Sequence, residues 1–386
     1  MNFIAKTFAG LEGVLAWELK AMGAANIEQA RRAVSFSGDK RTLYKANLTL
    51  RTALRILVPI KSFKVKTPDD VYAGVKSIEW DKYMSLSQTF LIEQTVYSDV
   101  VSNSRFAVYK AKDAIADYFS ERYGKRPNVS VANPNIFVNL YIAGENCTVS
   151  LDSSGEPLYK RGYRVAQTQA PMNEVLAAGL VLLSGWDAKS NFMDPMCGSG
   201  TIAIEAALFA LNIAPGIFRK HFAFEDWKDF DAELLDELYN DDSEEREFKH
   251  KIYASDINRA VVEVARKNIA AASLTKYIEL QSSDFMQLTP PQTPLCIITN
   301  PPYGERLKAD IEKLYSDMGT TLKHNYRDTT CHIISSSQDG FNKIGLKPSS
   351  KVKLYNGEIE CEFRSYRMFE GKMKENIKNV KNFHKF

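Results

Sequence analysis

The order of hydrophobic and polar positions divides the chain into two parts with different rhythms. In the first, Phe3–Phe8 reads as a short strand, and Leu11, Val14, Leu15, Glu18, Leu19 and Met22 follow at helical spacing as far as Gly23. Ala33–Ser37 alternates as a strand, Lys40–Asn47 reads as a helix and Leu54–Pro59 as a strand, together a small α+β unit. A second unit opens at Thr67-Pro68-Asp69-Asp70, where Thr67 or Asp69 caps a helix reaching Trp80. Thr89–Val96 alternates as a strand and Ala107–Tyr118 is an amphipathic helix. Asn135–Ile142 and Thr148–Leu151 pair as strands through Ala143-Gly144-Glu145-Asn146.

After Arg161-Gly162-Tyr163-Arg164 the pattern changes to apolar strands alternating with helices, which predicts a parallel sheet. The strands are Phe192–Met196, Ile252–Ile257, Ile278–Ser282, Leu295–Thr299 and His332–Ser335. The helices are Gly200–Leu211, Asn258–Ala272 and Ile311–Asn325. Lys351–Tyr355 and Glu358–Arg367 turn at Asn356-Gly357, a strong hairpin signal. The acidic, aromatic-flanked stretch Ala214–Lys249 reads as an insertion between the first helix and the second strand of this part. The expected fold is therefore α/β, a parallel sheet closing on an antiparallel hairpin, preceded by smaller α+β units.

Composition narrows the class only slightly. A chain of 386 residues, 45% hydrophobic and 25% charged, has room for two or three ordinary domains. No run of about 18 apolar residues predicts a membrane span, and the start lacks a signal peptide's apolar core. Cys147, Cys197, Cys296, Cys331 and Cys361 are scattered and form no CxxC pair. That argues against a disulfide framework or a zinc site and fits the cytoplasm. His221, His250, His324, His332 and His384 show no metal spacing, so no metal is expected. The net charge is only +3, yet it is unevenly placed. Between Arg31 and Lys66 the single acid, Asp39, stands among Arg31, Arg32, Lys40, Arg41, Lys45, Arg51, Arg55, Lys61, Lys64 and Lys66. Another basic run, Lys372 to Lys385, ends the chain. Such runs suit a polyanion, and they equally suit a plain solvated face.

Chemistry is concentrated at the ends of the predicted parallel strands. Asp194-Pro195-Met196-Cys197-Gly198-Ser199-Gly200-Thr201 lies where a strand enters a helix. Gly198 and Gly200 permit a tight turn and close approach of a ligand to the backbone, and helix-start amides can meet a carboxylate. Neither a P-loop nor the full GxGxxG fingerprint is present. Asp256 ends the next strand, placed for two ribose hydroxyls, although alone it also fits a helix N-cap. Asp284 ends the third, placed to accept from an adenine amino group, with Phe285 packing on the ring. Three such strand ends in succession line one edge of a sheet, where open α/β folds bind ligands.

The fourth strand ends in Asn300-Pro301-Pro302-Tyr303-Gly304-Glu305-Arg306-Leu307. Its prolines terminate the strand and stiffen the backbone. An amine conjugated to a ring is a poor nucleophile because its lone pair is delocalised. The Asn300 side-chain oxygen and the Pro301 carbonyl are placed to accept its two hydrogens, pyramidalising it and aiming the lone pair at a sulfonium methyl. Tyr303 would stack on the extruded base. Amino-group methylation needs no covalent enzyme intermediate, so Cys197 reads as a small pocket-lining residue. Glu305 and Arg306 either position the substrate or pair with each other.

These segments, with Ala170-Pro171-Met172-Asn173-Glu174, resemble the class I guanine-N2 RNA methyltransferases, and more closely the bacterial 23S rRNA methyltransferase L type. Phe8-Ala9-Gly10-Leu11-Glu12 and the helix to Met22 are similar to that family's opening, so the resemblance spans nearly the whole chain. It implies a ferredoxin-like unit over 1–66, a THUMP RNA-binding domain over 67–155 and a Rossmann-like methyltransferase domain over 156–386, without the longer fusion's second methyltransferase domain. It also implies S-adenosylmethionine (SAM) as cofactor, Pro171 and its neighbours bordering the SAM pocket, and 23S rRNA or a large-subunit assembly intermediate as partner. A tRNA guanine-N2 enzyme of the same layout is the alternative. The Asn-Pro-Pro-Tyr pattern also occurs in adenine-N6 DNA methyltransferases and in enzymes that methylate protein glutamine, and its chemistry alone does not choose among them. Nor do the residues indicate an oligomeric state.

Overall fold

The computed structural model describes residues 1–101, 103–168, 171–302 and 308–369, apart from the side chains of 308–310. They pack into two compact units, each of which takes a segment from the other part of the sequence. The first holds Met1–Thr7, Leu19–Leu158 and Arg219–Asp241. The second holds Phe8–Glu18, Tyr159–Phe218 and the chain from Asp242 onward.

Seven strands form the sheet of the first unit: β1 (Asn2–Lys6), β2 (Ala25–Ala30), β3 (Ala33–Ser37), β4 (Arg55–Lys64), β5 (Phe90–Tyr97), β6 (Ile136–Ala143) and β7 (Asn146–Asp152). Their order is β2-β3-β1-β4-β7-β6-β5. Only β5 and β6 run parallel, which requires a crossover, and helix Ser104–Tyr123 supplies it. The sequence pattern gives no sign of β2. It is an edge strand whose residues are exposed except for a half-buried Ile27, so it has no alternation to betray it. The helix entering after Thr67 spans Pro68–Lys76 and stops short of Trp80. Asp70, not Asp69, completes its start by accepting from the Thr67 amide at 2.7 Å. Trp80 folds back instead, its Nε1–H donating to the Val75 carbonyl at 2.9 Å.

The insertion contributes to this first unit. Tyr44 of helix Lys40–Thr49 stacks on Phe224 with ring centroids 4.1 Å apart, and its hydroxyl accepts from the Asp231 amide at 3.0 Å. Arg41 pairs with Glu237 at 2.8 Å and Lys40 with Asp229 at 3.2 Å. Arg55 pairs with Asp152 and Glu93. Part of the basic run is thus committed to contacts inside the unit.

In the second unit the strands are β8 (Asn191–Asp194), β9 (Ile252–Asp256), β10 (Ile278–Ser282), β11 (Leu295–Thr299), β12 (Thr329–Ser335), β13 (Ser350–Asn356) and β14 (Ile359–Arg367). The order is β10-β9-β8-β11-β12-β14-β13, with the first five parallel, β14 antiparallel to β12, and β13 antiparallel to β14. This is the expected Rossmann-like sheet with its terminal hairpin. The strand order changes direction between β8 and β11, which opens a crevice at their carboxyl ends. One buried helix, Glu174–Leu183, escapes the periodicity argument. Nine of its ten residues are buried, so it is apolar around its whole circumference. Among the described residues no helix is long and apolar enough to cross a membrane.

Candidate active site

A cavity of about 590 Å³ lies at the carboxyl ends of β8, β9, β10 and β11. Of the residues singled out above, Pro171, Asp194, Pro195, Cys197, Gly198, Ser199, Asp256, Asp284, Phe285, Asn300 and Pro302 line it. Gly200 stands one step behind as the N-cap of helix Thr201–Ala210, and Pro301 is buried beside Asn300. Tyr303, Glu305, Arg306, Ala170 and the terminal basic run lie outside the described residues.

Local backbone chemistry sets the loop after β8. Gly198 and Gly200 have φ of +54° and +82°, in the left-handed region that side chains disfavour. The Gly198 amide donates to Asp256 Oδ2 at 3.1 Å and the Cys197 amide to the Ser255 carbonyl at 2.8 Å, tying the loop to the end of β9. Asp256 Oδ1 accepts from the Asn258 amide at 2.9 Å, so Asp256 sits against both the turn and the cavity.

Two further side chains hold this loop. The Arg164 guanidinium donates to Glu174 Oε1 at 2.6 Å, to the Ser199 and Thr201 hydroxyls at 3.0 Å each, and to the Met172 carbonyl at 2.9 Å. Buried Asn268 accepts from the Val165 and Ala166 amides at 3.0 Å and donates to the Ser199 carbonyl at 3.1 Å. Asn268 is absent from the sequence reading. Its signal was a polar residue among the buried positions Val262, Ala265 and Ile269 of one helix. Ile257 was also passed over. It lines the cavity beside Asp256 and is 72% exposed, an open apolar surface at a polar rim.

Asp284 caps a short turn by accepting from the Met286 amide at 3.0 Å. Phe285 is 2% exposed and its ring packs on Tyr326 at 5.4 Å, so it is part of the core beneath the cavity rather than an open face. Lys313, Leu314 and Asp317, from helix Lys308–Asn325, complete the wall.

Asp194 and Asn300 are left with unmet hydrogen-bonding capacity. Asp194 is fully buried, and among the described residues neither carboxylate oxygen has a well-formed hydrogen bond. Burial pushes its carboxyl well above the usual range; the nearby Met196 amide opposes the rise and the Asp256 charge adds to it. Asn300 Oδ1 is likewise buried without a partner among the described residues. An unsatisfied buried acceptor costs about 1–3 kcal/mol, so two in one cavity mark places where a ligand supplies donors. A positively charged group fits beside Asp194 and an N–H donor fits at Asn300. Burial also pushes the Cys197 thiol well up, with Asp194 and Asp256 adding to the effect, which keeps it protonated and unreactive. No set of three or more His, Cys, Asp or Glu side chains among the described residues is placed to hold a metal.

Comparison with known proteins gives three family matches along the chain. The RlmL ferredoxin-like domain matches residues 2–57, the THUMP domain residues 65–152, and the RMKL-like methyltransferase domain residues 161–365. The chain is 34% identical over 371 residues to slr0064 of Synechocystis sp., a protein provisionally named an RNA methyltransferase, covering 95% of this chain and 97% of that one. It is 36% identical over 377 residues to the ribosomal RNA large subunit methyltransferase K/L of Psychromonas ingrahamii, covering 95% of this chain and 50% of that longer protein. The crystal structure of SMU.472, provisionally described as a methyltransferase and complexed with SAH (S-adenosylhomocysteine), superposes with a TM-score of 0.87 at 31% identity, covering 96% of this chain and 99% of that one. With its methyltransferase half matched and its whole length paralleled, the chain belongs to the RMKL-like methyltransferase family.

Proposed function

We propose that the protein is an RNA methyltransferase that modifies the exocyclic N2 amino group of a guanosine in large-subunit rRNA, within the cytoplasm. S-adenosylmethionine is the cofactor, and when bound it supplies an electrophilic sulfonium methyl. The residues present fit it. Asp194 offers a carboxylate to a cationic group, Asp256 and Asp284 offer acceptors to ribose and adenine, and Gly198 lets the backbone come close. Ile257 adds an apolar surface for a flat ring.

The observation that carries the reading is Asn300 Oδ1 at the end of β11, buried with no hydrogen-bond partner among the described residues. Together with the Pro301 carbonyl it would accept the two hydrogens of a ring-attached amine. That frees the lone pair and stabilises the positive charge that grows as the new N–C bond forms. Tyr303 is proposed to stack on the base, which leaves its helix at a cost of a few kcal/mol. The RNA assignment is supported by the THUMP match and by the names of the two relatives. Guanine N2, and 23S rRNA free or within an assembling subunit, come from the family resemblance. The 1–66, 67–155 and 156–386 division is kept as a proposal for the functional parts.

Mass spectrometry of digested 23S rRNA and tRNA from a strain lacking the gene tests the substrate. Loss of N2-methylguanosine from 23S rRNA alone is expected. Its loss from tRNA would transfer the reading to the tRNA alternative, and loss of N6-methyladenosine would overturn the base. For the site, Asn300→Ala should cut kcat by about 10²-fold or more, in line with removal of one preorganised polar group. Its SAM affinity by calorimetry should stay within about twofold. Undiminished turnover would sink the catalytic role.

A further inference from the structure

One face of helix Arg259–Ala271 runs from the cavity into the core behind the loop that follows β8. Val261 lines the cavity itself. Ala265 stands one turn further on, so close to the loop that a Cβ on Gly200 would lie 3.3 Å from its own. Asn268 comes next on the same face, since residues three and four apart share one side of a helix. It is 1% exposed, so it acts on a ligand only through the groups it holds.

Every hydrogen-bonding position of the Asn268 side chain is used. A side-chain amide offers two donors and an oxygen with two lone pairs. Oδ1 accepts from the Val165 and Ala166 amides at 3.0 Å each, and Nδ2 donates to the Ala166 carbonyl at 3.0 Å and the Ser199 carbonyl at 3.1 Å. Asn268 thereby joins two walls of the cavity that are distant in sequence. One is the loop after β8, through Ser199. The other is the segment that leaves Arg164 and brings Thr168, Pro171 and Met172 to the cavity. Arg164 closes that segment on itself by donating to the Met172 carbonyl at 2.9 Å, and Asn268 seats it on the helix.

We propose that Asn268 is a positioning residue for the cofactor, holding these two walls in their binding geometry before the cofactor arrives and so setting its affinity. Walls that are already fixed need not be ordered at the expense of binding. A leucine of similar size would leave two amides and two carbonyls without partners in a dry place, and both segments would settle elsewhere. An aspartate keeps the acceptor for the two amides, but it loses the donors and turns an oxygen toward two carbonyls. Methyl transfer is assigned to Asn300 and Pro301 at the end of β11, so turnover should be spared once cofactor saturates the site. The inference rests on the cofactor reading above and is independent of the choice of RNA or base.

The test measures SAM and SAH affinity of the full chain by calorimetry, beside urea melts of the same preparations without cofactor. Asn268→Leu should weaken SAH binding by about tenfold or more, the scale on which a lost buried hydrogen-bond partner is felt. Asn268→Asp keeps the wild-type volume and remains folded even if Asn268→Leu does not; it should lose affinity in the same direction. Ile269→Ala is the control for a purely structural effect. It removes core packing from the next residue of the same helix, which is 3% exposed, and touches neither wall through a hydrogen bond. Its melt should suffer while its SAH affinity stays within about twofold of wild type. With total RNA from a strain lacking the gene, Asn268→Asp should raise the KM for SAM and leave kcat nearly unchanged. Wild-type SAH affinity in Asn268→Asp, equal affinity losses in Asn268→Leu and Ile269→Ala, or a fall in kcat at constant KM would each overturn the role. A wild type that binds neither SAM nor SAH overturns the cofactor reading instead. One that binds SAH and methylates no RNA overturns the RNA reading and leaves Asn268 to be judged by affinity alone.

Discussion

Both units rest on seven-stranded sheets, yet they place their chemistry in different parts of the sheet. In the second unit the central parallel strands β8, β9 and β11 are largely buried, and the polar site residues stand where each strand stops. Asp194 and Asp256 are therefore the last residues of their strands, and Asp284 and Asn300 stand just beyond theirs. In the first unit the mostly antiparallel strands alternate, and one end of one face stays open, so Lys64, and Tyr97 and Tyr141 on the one parallel pair, are presented by the strands themselves. Parallel connections cover both faces with helices and leave the edge for function, whereas antiparallel strands can leave a face bare. Polar pairs differ accordingly. Arg164 and Glu174 side chains are 12% and 6% exposed, whereas Arg41 and Glu237 are 43% and 61% exposed.

The largest expected effect falls on the buried brace. Arg164→Ala leaves Glu174 charged and unpaired in a dry environment and frees the hydroxyls of Ser199 and Thr201. Breaking a buried pair in this way typically costs about 3–5 kcal/mol, and urea unfolding should register a loss near the lower figure. SAM affinity should fall by more than tenfold as the loop after β8 loses its support. Arg164→Lys should rescue little, because one ammonium cannot serve a carboxylate, two hydroxyls and a carbonyl in the same plane. Near-wild-type stability in Arg164→Ala would break the distinction between braced loop and open face.

This contrast also explains what the sequence made visible. A polar residue ending an apolar run is a local signal, so Asp194, Asp256, Asp284 and Asn300 could be placed on strand ends before any coordinates. Arg164 stands in a recognisable motif, but the set of groups it holds is not local, since Ser199 and Thr201 are more than thirty positions away. The membership of Arg219–Asp241 in the first unit is less legible still. It depends on Tyr44 meeting Phe224 and on Arg219 donating to the carbonyls of Pro157 and Glu156. Nothing in hydrophobic period encodes contacts between such distant segments. Helix Glu174–Leu183 and strand β2 fail for opposite reasons, one buried all round and the other exposed nearly throughout.

A smaller effect concerns His332 in β12. It is buried, its Nδ1 lies 2.8 Å from the Ser365 hydroxyl, and its Nε2 has no partner among the described residues. Burial pushes its pKa down to about 3 from 6.5. The unfolded chain therefore takes up a proton first, and the stability linked to His332 is full above pH 6.5 and drains away as pH falls toward 3. The slope is about 1.4 kcal/mol per pH unit, or about 2 kcal/mol between pH 6.5 and 5. Asp194 and Asp152 have raised carboxyls and act in the opposite sense, so the wild-type curve alone does not isolate the histidine. The difference between wild type and His332→Phe does. It should shrink by that amount across the window in urea melts, and a constant difference would show that His332 does not titrate with folding.

The smallest effect is expected at Arg41–Glu237, and its size sharpens the comparison most cleanly. The geometry is as good as that of Arg164, with two parallel hydrogen bonds of 2.9 and 2.8 Å. Counting contacts would rank the pairs alike, but solvent screens this one and both partners keep their hydration if separated. The attachment of Arg219–Asp241 should instead depend on the stacked Tyr44 and Phe224 rings and on the buried Arg219 fork. Arg41→Gln is accordingly expected to melt within error of wild type, at low and at high salt. A clear loss of stability at low salt that disappears at high salt would mean that charge, rather than ring packing, holds the insertion to the first unit.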